Sequence, residues 1–217
     1  MLTELSWGLN DKFYAIRSFT LDKMKENPAA LSDATVLQSI ERIAQNDEHN
    51  RTKSRAVSLL AATKDPKYKY IFDKAVNDSS YSVAGAALNG LVQLDSANAY
   101  ALAKKYSADA KGDLDEAVMN IIVSAGNEAD YDMILKKYDD LPLSQSKLEL
   151  TTAFCDYLSK LNDEQKIKAG VDKVLAFKNA IPQAYKNFTD PAIKAGLQKI
   201  AAAKGGDTQV YVNNSLK

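Results

Sequence analysis

The side chains that could do chemistry are few. The chain has one histidine, His49, and one cysteine, Cys155. A hydrolytic zinc ion is held by about three protein ligands, usually rich in histidine. His49 stands alone in the polar turn Asn46-Asp47-Glu48-His49-Asn50 and reads as a surface residue. Cys155 lies in Leu150-Thr151-Thr152-Ala153-Phe154-Cys155-Asp156-Tyr157-Leu158, where helical spacing sets it near the apolar face. With no second histidine to take its proton it reads as a buried, inert thiol. A lone cysteine forms no intrachain disulfide. Asp113, Asp115 and Glu116 cluster at a helix start. Negative charge complements the helix dipole there, which accounts for them without acid–base catalysis. Gly205-Gly206 lacks the following helix and the lysine of a phosphate-binding loop. The residues therefore predict no catalytic, cofactor-binding or metal-binding site in this chain.

Recognition is the chemistry left. Tyr70, Tyr100 and Tyr131 recur at offsets of 30 and 31, followed by Lys74, Lys104 and Lys136. Stacked units would line up these phenols with the ammonium groups of Lys104, Lys105, Lys136 and Lys137. Such a row could meet a peptide's carbonyls or carboxylate. The plainer reading makes the tyrosines amphipathic spacers at the seams and the lysines solvated.

These positions are set by a longer phrase. Ala56-Val57-Ser58-Leu59-Leu60 returns as Ala87-Leu88-Asn89-Gly90-Leu91 and again as Ala117-Val118-Met119-Asn120-Ile121, at offsets of 31 and 30. Two phrases locked to one period predict an all-α stack of antiparallel helix pairs, an α-solenoid with a unit of about 30 residues. Apolar residues recur at three and four, and strand signals are nearly absent. The pattern predicts a helix over 11–26, with Phe13, Ile16, Phe19 (or Thr20) and Met24 along its inner side. Ser32 caps a helix to Gln45, and further helices cover 51–63, 80–94, 95–106, 113–125 and 128–138. Asp65-Pro66 and Asp190-Pro191 are start signals, because proline's missing N–H costs nothing at a first turn. Ser144 and Asn162 cap longer helices. The clearest repeats span 51–140, with longer irregular helices over 143–203. A single helical domain thus covers 1–207, and 208–217 is an extended or disordered tail. Gly85 and Gly90 weaken a helix relative to alanine, so close packing is the reason to expect for them.

Composition narrows the class. The 217 residues carry 28 basic and 28 acidic groups. Residues 61–140 hold a surplus of acids and 141–217 a surplus of bases, but no basic face is concentrated enough for general nucleic-acid binding. The longest apolar runs fall far short of a membrane span. No signal peptide is visible after Met1, although a chain that starts inside a longer protein would look the same.

Asp11-Lys12-Phe13-Tyr14-Ala15-Ile16-Arg17 resembles the start of the second helix of a HEAT unit: aspartate, aromatic, β-branched residue, arginine. Asp78-Ser79-Ser80-Tyr81-Ser82-Val83 is similar, with Ala84 where arginine would stand. The short period looks like the bacterial kind rather than the longer eukaryotic HEAT and armadillo units. More narrowly, residues 5–203 resemble the HEAT-like C-terminal helical domain of M1-family zinc aminopeptidases. The resemblance lies in short units, Asp-Pro starts, first helices rich in tyrosine and lysine, and longer helices towards the C-terminus. It implies a domain that packs on the catalytic domain of the same polypeptide, closes its active-site chamber and contacts longer peptides. The family's zinc motif, His-Glu-x-x-His, and its Gly-x-Met-Glu-Asn motif are not in this sequence, so the zinc would belong to the absent catalytic domain. The alternative is a free-standing HEAT-repeat scaffold that binds a protein partner.

Overall fold

Aspartates start the helices. Asp11, Asp47 and Asp78 each accept, through Oδ1, the N–H two residues on, from Phe13, His49 and Ser80 at 2.8, 2.9 and 2.9 Å. Each closes a turn three residues ahead of a helix, because a short carboxylate can hold an amide that the helix leaves without a partner. The computed structural model describes residues 2–216, and all regular structure among them is helical. The α-helices are α1 (Leu2–Leu9), α2 (Tyr14–Glu26), α3 (Ala34–Asn46), α4 (Asn50–Thr63), α5 (Lys69–Ala75), α6 (Tyr81–Leu94) and α7 (Ser96–Tyr106). They continue with α8 (Gly112–Ala125), α9 (Tyr131–Asp140), α10 (Gln145–Leu158), α11 (Glu164–Ala180), α12 (Gln183–Ala203) and α13 (Gly206–Ser215). The chain divides into two compact units, one through Ile121 and one from Ile122. The division falls inside α8, where the repeat gives way to α10, α11 and α12 of 14, 17 and 21 residues.

In the first unit, alternate helices are neighbours. α4 packs on α2, α3 and α6, while α3 packs on α1 and α5. The burial pattern makes the repeat stricter than the phrases suggest. Val57, Leu88 and Met119 are buried at successive offsets of 31, as are Ala56, Ala87 and Val118. The second offset of 30 was one residue short, and one residue is 100° around a helix. Gly85 sits where α6 meets the start of α8. A Cβ there would lie 2.6 Å from the backbone oxygen of Asp113, so the approach requires glycine.

The inner side of α2 keeps Met24 and the alternative Thr20 of the expected line, but not its other members. Phe13, Ile16 and Phe19 are 57%, 42% and 62% exposed, while Ser18, Thr20, Leu21 and Met24 are buried. The helix carries two apolar lines, and a polar contact selects between them. Ser18 Oγ and Thr52 Oγ1 share a buried hydrogen bond of 2.7 Å between α2 and α4. Lys12 and Lys23 lie over the exposed rings of Phe13 and Phe19.

In the second unit, α10 packs on α12, and α13 packs on α11 and α12. The Glu128 carboxylate accepts the N–H of Asp163 at 2.8 Å, which ties the start of α9 to the start of α11. Residues 208–217, expected as a tail, are helical through Ser215, and Lys217 lies outside the described residues. Thr208 and Val212 are buried one helical turn apart, so their spacing is that of a helix face. α12 ends at Ala203, but Gly206, at φ +57°, opens this further helix, so a helix does follow Gly205-Gly206 where none was expected. Asp190-Pro191 starts nothing, because α12 runs through Pro191. The caps expected at Ser32 and Asn162 fall one residue later, on Asp33 and Asp163, each of which accepts two N–H groups.

Candidate functional site

The three tyrosines of the expected row differ in exposure. Tyr70 is 52% exposed, donates to Glu41 and accepts from Gln45 Nε2 at 3.2 Å. The hydrogen bond to Glu41 is the main cause of its raised pKa. Tyr100 is half-buried on α7. Tyr131 is buried at 4% exposure, with the Lys166 ammonium 5.6 Å from its ring centre. Burial pushes its pKa to about 12, and its hydroxyl has no hydrogen-bond partner. The reason is again register. The caps Asp65 and Asn127 lie 62 residues apart, which sets Tyr131 against Lys69 rather than Tyr70. Lys105 and Lys136 are exposed, whereas Lys104 and Lys137 are half-buried. Lys105 lies 5.3 Å from the ring of Tyr106 beside it. Lys74 is exposed and borders a cavity of about 230 Å³ beside Tyr70.

The remaining candidates keep modest roles. His49 is exposed and stacks on Tyr14, with ring centres 3.9 Å apart. Cys155 is fully buried, and burial pushes its pKa to about 12. A Cβ on Gly196 would lie 2.8 Å from its sulfur, so α12 covers it directly. Among the described residues no group of three or more His, Cys, Asp or Glu side chains is placed to hold a metal ion. No described helix is long and apolar enough to cross a membrane.

A further surface feature joins positions that the sequence had shown only as helix-start acids, a packing glycine and parts of the repeated phrase. A groove of about 390 Å³ runs across α4, α6 and α8, and Asp22 and Lys25 of α2 border it. Its lining keeps the same offset of 31: Arg51, Ser82 and Asp113; Ser54, Gly85 and Glu116; Arg55, Ala86 and Ala117; Ser58, Asn89 and Asn120. The repeat could have revealed this face, had it been read on polar positions as well as apolar ones. The centre of the lining is neutral and small, with serine hydroxyls and asparagine amides able to donate and accept. Charge is sorted to the two ends. Arg55 Nε donates to Asp22 Oδ1 at 2.7 Å, and chiefly that bond lowers the Asp22 pKa. Lys25, Arg51, Asp113 and Glu116 enter no ion pair among the described residues.

The second unit holds an apolar cavity of about 530 Å³ lined by Leu143, Leu148, Phe177, Ile181, Pro182 and Tyr185. At its rim Gln145 Nε2 donates to Glu149 Oε1 at 2.9 Å. No protein-family model and no curated protein matches the chain.

Proposed function

We propose that this chain is a non-catalytic HEAT-like module that holds an extended segment of a partner polypeptide in the groove across α4, α6 and α8. One observation carries the reading: the groove-lining positions recur at 31 and present hydroxyl and amide groups. An extended peptide exposes a donor and an acceptor at each residue, and repeated serine and asparagine side chains can satisfy both. The aspartate turns and the ion pairs from Arg17 to Asp47 and from Lys53 to Asp78 support the HEAT-like reading. In each pair the cation stands six residues after the aspartate of its own unit and reaches the aspartate of the next.

In its narrower form the module is the C-terminal helical domain of an M1-type zinc aminopeptidase, bracing the catalytic domain and shaping peptide access. The resemblance in sequence style supports that form. Among the described residues no group of side chains fits the family's zinc, and the one histidine, His49, stacks on Tyr14.

Panning displayed peptides against the purified chain tests the groove. Selected peptides should lose binding to Ser82→Trp, which fills the groove, and keep binding to Tyr185→Ala in the second unit. Selection of peptides indifferent to Ser82→Trp overturns the groove. A reading frame upstream of residue 1 that encodes a His-Glu-x-x-His domain supports the narrower form. A stop codon there leaves the free-standing scaffold.

A further inference from the structure

We infer that the preferred occupant of this groove is a dipolar peptide, with an acidic and a basic residue about six positions apart. The inference rests on the groove reading and adds the charge and length of what binds.

The argument begins with which charges are free. Arg55 is matched by Asp22 inside the wall. That leaves Arg51 and Lys25 at the α2–α4 end, and Asp113 and Glu116 at the α8 end. Between them the lining is serine, glycine, alanine and asparagine, and at the basic end a single carboxylate, Asp22, already bonded to Arg55, faces both Lys25 and Arg51, so that end keeps a positive surplus. Arg51 and Asp113 hold equivalent places two units apart. Packed helices lie about 8–10 Å apart, so the two ends are roughly 16–20 Å apart. An extended chain rises about 3.3 Å per residue and covers that distance in about five or six residues. A uniformly acidic peptide would meet Arg51 at one end and repulsion from Asp113 and Glu116 at the other. A uniformly basic one suffers the reverse. Only a peptide with both signs satisfies both ends, and its advantage should shrink as salt screens the exposed pairs.

The test uses three fluorescein-labelled, end-blocked peptides that share a Ser-Ala-Ser-Ala-Ser centre. One carries Glu and Lys at opposite ends, one carries Glu at both, and one carries Lys at both. Anisotropy titrations are run at low and high salt against the whole chain. The dipolar peptide should bind roughly tenfold tighter than either uniform peptide at low salt, with the gap closing at high salt. Arg51→Glu, at an exposed position, should weaken the dipolar peptide and strengthen the all-basic one. Equal binding of the three peptides overturns the charge preference and leaves the groove reading standing. Binding by none of them, from a chain whose circular dichroism is intact, overturns both.

Discussion

Arg17 Nε donates to Asp47 Oδ2 at 2.7 Å, joining two helix starts thirty residues apart in the chain. The Asp47 side chain is only 3% exposed, so this carboxylate depends on its partners. Hydrogen bonds to charged groups contribute about 1.5–3 kcal/mol, and Arg17→Ala should cost about 2 kcal/mol of stability. A double-mutant cycle with Asp47→Ala checks it. Coupling near zero would show that the two side chains act independently.

The same aspartate makes stability depend on pH. Burial works to raise the Asp47 pKa, but hydrogen bonds from Arg17 and the His49 N–H outweigh it, and the folded value lies below that of free aspartate. Asp78 is lowered by the same balance, with Lys53 and the Ser80 N–H as donors. Between the folded and unfolded values the unfolded chain binds more protons, so stability rises with pH there. The contribution is complete above the unfolded value of about 4 and is lost as pH falls through the folded one. Urea unfolding from pH 2 to 6 should show a shallower acid loss for Asp47→Asn than for the parent. Parallel profiles would remove Asp47 from the account.

Gly85 sets the approach of α6 to the first turn of α8. Alanine there gains about 1 kcal/mol in helix propensity, but its Cβ meets backbone at 2.6 Å, and backbone cannot rotate away. Overpacking of this kind costs about 1–3 kcal/mol, so Gly85→Ala should lower the melting temperature and Gly85→Leu should lower it further. An unchanged melting temperature for Gly85→Leu would mean that α6 and α8 do not meet there.

The two lines of α2 predict opposite outcomes. Phe19→Ser, at a ring 62% exposed, should change stability by less than about 0.5 kcal/mol. Leu21→Ala, at a fully buried side chain, should cost about 2–5 kcal/mol. A reversed order in chemical denaturation would restore the face anticipated from sequence.

Cys155 should react with a thiol reagent only as fast as the fold opens, because burial both blocks access and disfavours the thiolate. Rapid labelling in native buffer, with full signal before any denaturant, would place it at the surface.

Helix existence was legible in this sequence, since apolar residues at three and four and the aspartate starts each act locally. Register was not. Tyr131 moved from a presumed surface row to a buried site because its unit is offset by one residue. Apolar matches alone tolerate that slip, since Ala117 and Val118 are both buried and either aligns with Ala87. The inner side of α2 was set by Ser18 and Thr52, a polar pair that hydrophobic periodicity ignores. The helix after Gly205-Gly206 was not legible, because only the docking of Thr208 and Val212 reveals its inner face. The groove was legible in principle, because its serines and asparagines keep the same period as the core.

The one tryptophan, Trp7, lies on α1 with 71% of its surface exposed. Its emission should already be red-shifted in the native chain, and unfolding changes its surroundings little. Tryptophan emission therefore samples one short helix, while far-ultraviolet dichroism averages all the described helices. If the two compact units unfold separately, melts followed by the two signals should diverge, and superimposed melts would show the chain unfolding as one.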